Sequence, residues 1–235
     1  MNILEKEKLA NNLKIVEQRI KSACQEHQCN KNPRMIAVSK GQNLEKIRYL
    51  SSLGVKDFGE NYLDEMTKKA CALQADHQDI RWIFIGTLQS NKIKKIVQIA
   101  DEIQTVASMK HAGLIQRYAE EFNKTPYPVY IAVNAADEKT KSGVCLAEVE
   151  SLAQKITNSC PNLALQGIMA IPPKKLATLK EQPSAGHELY RELSCLAKSV
   201  GKGLLSLGMS ADLEKAVAAG VTTLRIGTAL FGKRT

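Results

Sequence analysis

Three places in this sequence carry side chains that could do chemistry together. Lys40 directly follows the apolar run Met35 to Val38 and Ser39. A lysine at a strand end either snorkels to solvent from its loop or opens into a pocket. In a pocket, desolvation and neighbouring cations lower its pKa and leave a nucleophilic amine suited to condensing with an aldehyde. Near the other end of the chain, Ser210 precedes a helical pattern, and Gly227-Thr228 follows the β-rich run Thr223 to Ile226. Ser210 is placed to cap a helix beginning at Ala211, whose first backbone N–H groups would face an anion. Gly227 allows close backbone approach, and Thr228 adds an N–H and a hydroxyl. These residues read equally as a phosphate cradle or as a capped helix and a tight turn. Arg225 alternates with Leu224 and Ile226, so it faces the opposite side from both, either into a barrel or toward the helices. A buried arginine there needs a partner, structural or bound.

The elements that would position these groups alternate along the chain. Residues Ile3 to about Gln28 place Leu9, Leu13, Val16, Ile20 and Ala23 at helical spacing, and Asn30 to Pro33 break the pattern. After that, short β-rich runs alternate with amphipathic helical stretches. Strands are expected at Met35–Val38, Val55–Phe58, Ile80–Ile85, Glu102–Thr105, Val129–Val133, Leu165–Ile171, Leu204–Leu207 and Thr223–Ile226. Helices fit between them, the last at Ser210–Ala219. Roughly eight such alternations suit a closed (β/α)8 barrel of the TIM type with an additional N-terminal helix. Periodicity alone leaves an open doubly wound sheet as the alternative. No linker or composition shift divides the chain, so residues 1–235 are expected to form one domain. In such a barrel the residues just past each strand converge on one mouth.

The 235 residues are 44% hydrophobic and 24% charged, which suits a globular chain with a full core. The longest apolar runs are strand-length, far short of a membrane span. Met1 to Lys8 is charged and lacks the apolar stretch of a signal peptide, so a cytoplasmic protein is expected. The six cysteines form no C-x-x-C pair, which leaves neither a zinc site nor a disulfide framework in view. A net charge of +9 admits an anionic small ligand or a nucleic-acid or membrane surface. The basic residues are spread along the whole chain without a basic tail or interleaved aromatics, which speaks against nucleic acid.

Several ordered segments together resemble the YggS/PROSC family of pyridoxal-phosphate homeostasis proteins, relatives of the barrel domain of alanine racemase. They are AVSK at Ala37–Lys40, FGENY at Phe58–Tyr62, FIGTLQSNK at Phe84–Lys92, the spaced Val133, Asn134, Glu138, Lys141 and Gly143, GIMAI at Gly167–Ile171, LGMSAD at Leu207–Asp212 and RIGTALFG at Arg225–Gly232. The resemblance implies that Lys40 forms the internal aldimine of pyridoxal 5′-phosphate (PLP), that Arg225 contacts its pyridine nitrogen, that Ser210, Gly227 and Thr228 hold its phosphate, and that Asn61 lies near it. It implies storage or delivery of PLP, with PLP-dependent apoenzymes as recipients, and a monomer without membrane or nucleic-acid partners. The rival reading is a small PLP enzyme, a racemase or decarboxylase. The chain stops soon after Gly232, where racemases resembling this barrel continue into a further β domain with an opposing tyrosine, so little or no turnover is expected. The sequence departs from the family at Ile83, where histidine is common, at Leu207, where methionine is common, and at Gly41-Gln42-Asn43, where Thr and Pro often follow the lysine. No role is assigned to these positions. Lys141 reads as a mouth residue or a solvated loop lysine.

Overall fold

The first helix is fixed by its opening residues. Asn2 accepts from the Glu5 N–H at 2.9 Å while the Glu5 carboxylate accepts from the Asn2 N–H at 2.8 Å, a reciprocal cap. The computed structural model describes residues 1–74, 79–135, 143–173 and 183–232, with backbone alone over 183–187. In chain order the first half runs α1 (Ile3–Glu26), β1 (Arg34–Val38), α2 (Leu44–Ser52), β2 (Asp57–Glu60), α3 (Leu63–Gln74), β3 (Arg81–Phe84), α4 (Ile93–Ile99), β4 (Glu102–Val106) and α5 (Met109–Glu121). The second half runs β5 (Tyr127–Val133), α6 (Val149–Ser159), β6 (Leu163–Ala170), α7 (Pro183–Lys198), β7 (Leu204–Ser206), α8 (Leu213–Ala218), β8 (Thr223–Ile226) and α9 (Thr228–Phe231).

Every strand pairs in parallel with the next, and β8 pairs with β1 from Arg34↔Thr223 to Ala37↔Ile226, so the sheet closes into an eight-stranded barrel. This is the expected (β/α)8 architecture, with α1 outside it as the additional N-terminal helix. The stripe of Leu9, Leu13, Val16, Ile20 and Ala23 is buried. It seats α1 against α8 and α9, where Asn12 Nδ2 donates to Leu230 O at 2.9 Å. None of the described helices is long and apolar enough to cross a membrane.

Most strand ends fall within two residues of the sequence expectation, and two of the differences have identifiable reasons. Strand β2 starts two residues late and contains Gly59-Glu60, which had read as loop. Asp57 opens the strand because Arg34 and Arg81 neutralise it, at 2.6 and 2.8 Å. Gly59 lies in the strand where a Cβ would stand 2.9 Å from Ile36 Cγ2, so a larger residue would have to displace that side chain. Helix α8 begins at Leu213 and not at Ala211. The Asp212 carboxylate reaches back to the Met209 N–H at 2.7 Å and holds 209–212 as a turn.

Candidate functional site

Because all eight strands are parallel, the residue after each strand lies at the same end of the barrel. Lys40, Asn61, Ser210, Gly227 and Thr228 therefore share one rim, as the sequence predicts. Lys40 occupies the second position of a turn. Gln42 N donates to Ser39 O at 3.0 Å, and Gly41 supplies the positive φ of +70° that the third position of such a turn demands. Asn43 then caps α2 through the Lys46 N–H. The departure Gly41-Gln42-Asn43 is thus a complete turn-and-cap sequence.

A hydrogen bond joins the loops after β7 and β8. Ser210 Oγ accepts from the Ala229 N–H at 2.9 Å, so its hydroxyl serves the last helical turn and does not cap a helix at Ala211. Behind it, Arg19 of α1 forks onto Glu214 and also donates to Ser210 O at 3.2 Å. Asp212 is buried and receives the Tyr190 hydroxyl. Gly227 has negative φ, and a Cβ on it would meet only Val38 at an ordinary 3.6 Å. Neither backbone strain nor crowding within the chain demands glycine there.

Arg225 faces the bore. Its Nη1 donates to Ser206 O and Oγ, each at 2.8 Å, and its Nη2 to Ala170 O at 2.7 Å. Ala170 and Ser206 end β6 and β7, which places the guanidinium at the rim. Burial, only partly countered by Asp212, pushes this arginine down to about 10, so it remains cationic at neutral pH. Among the described residues its hydrogen-bond partners are all neutral oxygens.

Asn61 follows the last residue of β2, and the loop after β3 presses on it closely: a Cβ on Gly86 would stand 1.9 Å from Asn61 O. Asn61 Oδ1 is buried and accepts no hydrogen bond from the described residues. A buried amide oxygen without a donor costs about 1–3 kcal/mol, and a bound ligand would offset that cost. The orphaned oxygen and a buried guanidinium with neutral hydrogen-bond partners among the described residues fit an anionic, nitrogen-heterocyclic ligand.

Under the Lys40 turn lies a buried cluster that the sequence reading did not single out. Lys69 Nζ donates to Ser39 O (2.7 Å), Glu60 Oε1 (2.7 Å) and Glu65 Oε1 (2.6 Å). Glu65 Oε1 also accepts from Gly41 N at 2.6 Å, and Glu60 Oε1 from Ser39 Oγ at 2.6 Å. Burial holds the Glu60 carboxyl above its usual range despite Lys69 and Ser39. Glu65 and Lys69 stand at i, i+4 spacing in α3, a spacing that by itself carries no sign of burial. Gln104 and Ser206 were also missed, although a polar residue inside the strand patterns EIQTV and LLSL was a signal. Ile83 is fully buried core. Glu138, Lys141 and residues 233–235 lie outside the described residues.

Comparison with known proteins agrees with this geometry. The family model described as "Alanine racemase, N-terminal domain" matches residues 6–235. An alanine racemase from Clostridium difficile 630 superposes with a TM-score of 0.71 at 15% identity, over 94% of this chain and 56% of that one, which is a likeness of fold. The chain belongs to the alanine racemase N-terminal-domain family of barrels. The pyridoxal phosphate homeostasis protein of Haemophilus influenzae is 36% identical over 230 residues, 96% of each chain, and that of Escherichia coli K12 is 35% identical over 232 residues, 96% of this chain and 97% of its own. PipY of Synechococcus elongatus, solved with PLP bound, superposes with a TM-score of 0.76 at 28% identity over 95% of this chain and all of that one. Within the barrel family, this chain is therefore a member of the pyridoxal phosphate homeostasis proteins.

Proposed function

We propose that this chain acts in PLP homeostasis as one domain that binds PLP at Lys40 and releases it to PLP-dependent apoenzymes, with little or no turnover of its own. The relatives' names and the PLP-bound PipY structure support the ligand. Lys40 Nζ is the amine that would condense with the aldehyde, releasing one water. Ser210, Gly227 and Thr228 would hold the phosphate, and Asn61 would meet a polar edge of the ring.

Arg225 is the observation that carries the carrier reading. PLP, when its pyridine nitrogen is protonated, serves as an electron sink for carbanions. A guanidinium donates and does not accept, so a nitrogen facing Arg225 stays unprotonated. The pocket thus favours holding the aldehyde over stabilising a carbanion. We further propose a monomer working in the cytoplasm, without nucleic-acid or membrane partners.

The test is a PLP titration of the purified chain, followed by borohydride reduction and peptide mapping. A cofactor fixed on Lys40, absent in Lys40→Ala, supports the reading, and unchanged labelling in Lys40→Ala overturns it. Steady-state assays with a panel of amino acids are expected to show negligible racemisation or decarboxylation. Substantial turnover would make the chain an enzyme.

A further inference from the structure

Lys40 is flanked by two residues whose backbones are tied to one buried ammonium. On its N-terminal side, Ser39 gives its carbonyl to Lys69 and its hydroxyl to Glu60. On its C-terminal side, Gly41 gives its N–H to Glu65, which Lys69 also holds. An ammonium has three donors, and Lys69 uses them on Ser39, Glu60 and Glu65. We propose that Lys69 and Glu65, backed by Glu60, form a clamp that positions Lys40 for its covalent bond to the aldehyde. This inference rests on the PLP reading above and assigns the clamp to the bond-forming step, separately from the docking of the phosphate.

Two arguments favour positioning over plain stability. A buried ion pair contributes little net stability compared with well-packed apolar residues of the same volume. Lys69 is 5% exposed and Glu60 fully buried, so an apolar pair would serve the core as well. The second argument is local. The turn carrying Lys40 depends on Gly41 at positive φ, the residue type with the widest conformational freedom. Stiffness at Lys40 must then come from outside the turn, and the clamp grips the peptide on both sides of it. Bond formation is steeply sensitive to such placement, a misplacement of about 1 Å costing on the order of 100-fold in rate. The Ser210, Gly227 and Thr228 rim hangs on β7 and β8, and the clamp's hydrogen bonds run to Ser39 and Gly41 instead.

The experiment compares PLP with pyridoxine 5′-phosphate, which carries an alcohol in place of the aldehyde and cannot condense with an amine. The full chain, Lys69→Met, Lys69→Arg and Glu65→Ala are tested. The reads are the rate and extent of borohydride-fixable PLP on Lys40 and, by calorimetry, the Kd of pyridoxine 5′-phosphate. The expectation is a loss of about 10-fold or more in the rate of linkage for Lys69→Met, a smaller loss for Glu65→Ala, partial recovery in Lys69→Arg, and a nearly constant Kd for the alcohol. Glu65 is part-exposed, and its removal leaves Lys69 paired with Glu60, so this variant decides the matter should Lys69→Met fail to fold. Equal losses for both ligands would show a general collapse of the mouth and overturn the clamp, as would unchanged linkage rates in the folded variants. A wild-type chain that fixes no PLP on Lys40 would overturn the PLP reading itself, and the clamp with it.

Discussion

Ser206 at the end of β7 donates its hydroxyl to Gln104 Oε1 on β4 at 2.7 Å. Strands β4 and β7 are not neighbours, so this bond crosses the bore. It is one link in a longer thread. Arg225 Nη1 donates to the same Ser206 Oγ at 2.8 Å, Gln104 Nε2 donates to Glu102 Oε1 at 2.6 Å, and Glu102 Oε2 receives Arg34 Nη1 at 2.6 Å. The barrel interior thus carries one hydrogen-bonded line from Arg34 at the start of β1 to Arg225 at the mouth.

Ser206→Ala cuts the thread at its middle. Arg225 keeps the Ser206 carbonyl, but the fully buried Gln104 loses its donor. A stranded buried acceptor costs about 1–3 kcal/mol. Urea unfolding should show a lower midpoint with an unchanged slope. An unaltered midpoint would mean that Gln104 finds another partner and that the thread has no energetic continuity.

Gly227 and Gly86 should respond in opposite ways to the same added methyl. In Gly227→Ala the new carbon meets only Val38 at 3.6 Å, so the thermal midpoint should hold while PLP affinity falls by about 10-fold or more, roughly 1.4 kcal/mol. In Gly86→Ala the methyl would lie 1.9 Å from the Asn61 carbonyl oxygen. Backbone would have to move, and destabilisation of about 1–3 kcal/mol or more is expected. Paired melting and binding curves check both, and full PLP affinity in Gly227→Ala would remove that residue from the cradle.

How far the sequence reveals this arrangement depends on whether a residue's partner is close in the chain. Strand β8 was bounded correctly because Arg225 alternates with its neighbours and Gly227 ends the run. Strand β2 was misplaced because its end residues are charged, and they are neutralised by Arg34, Arg81 and Lys69, between 9 and 24 residues away. Ser210 shows the same limit. A serine before a helical pattern predicts a local cap, yet the N–H it serves belongs to Ala229, 19 residues on. Lys69 is the extreme case, since nothing in an i, i+4 pair with Glu65 says that the helix presents it inward beneath Lys40.

Tyr190 supports the Ser210 loop from α7. Its hydroxyl donates to one oxygen of Asp212, whose other oxygen accepts the Met209 N–H at 2.7 Å. Burial, reinforced by Asp212, pushes the phenol far above its ordinary value, so it remains a donor throughout the accessible pH range. Tyr190→Phe leaves a buried carboxylate oxygen without its donor, at a cost of about 1–3 kcal/mol. Because Asp212 also holds the turn that carries Ser210, the variant should bind pyridoxine 5′-phosphate more weakly. Reduced stability with unchanged affinity would show that the Met209 and Arg19 hydrogen bonds hold the turn without Tyr190.

Asp101, between α4 and β4, gives the barrel a titratable strain point away from the mouth. Its Oδ2 accepts from the Trp82 N–H at 2.8 Å, but burial outweighs that bond and the nearby Lys124 and Arg81, and the carboxyl sits above its usual range. The folded chain therefore holds this proton more tightly than the unfolded chain does. Stability falls as pH rises from the ordinary aspartate value through the raised one, and above that window the loss is complete. Asp101→Asn keeps an acceptor for Trp82 and has nothing to ionise. The difference in melting temperature, variant minus wild type, should therefore become more positive from about pH 3 to about pH 7, in a sense set by the direction of this shift. Differencing removes the other carboxylates, which titrate in both proteins. A difference that stays flat with pH would mean that the Trp82 N–H, Lys124 and Arg81 fully offset the burial of Asp101.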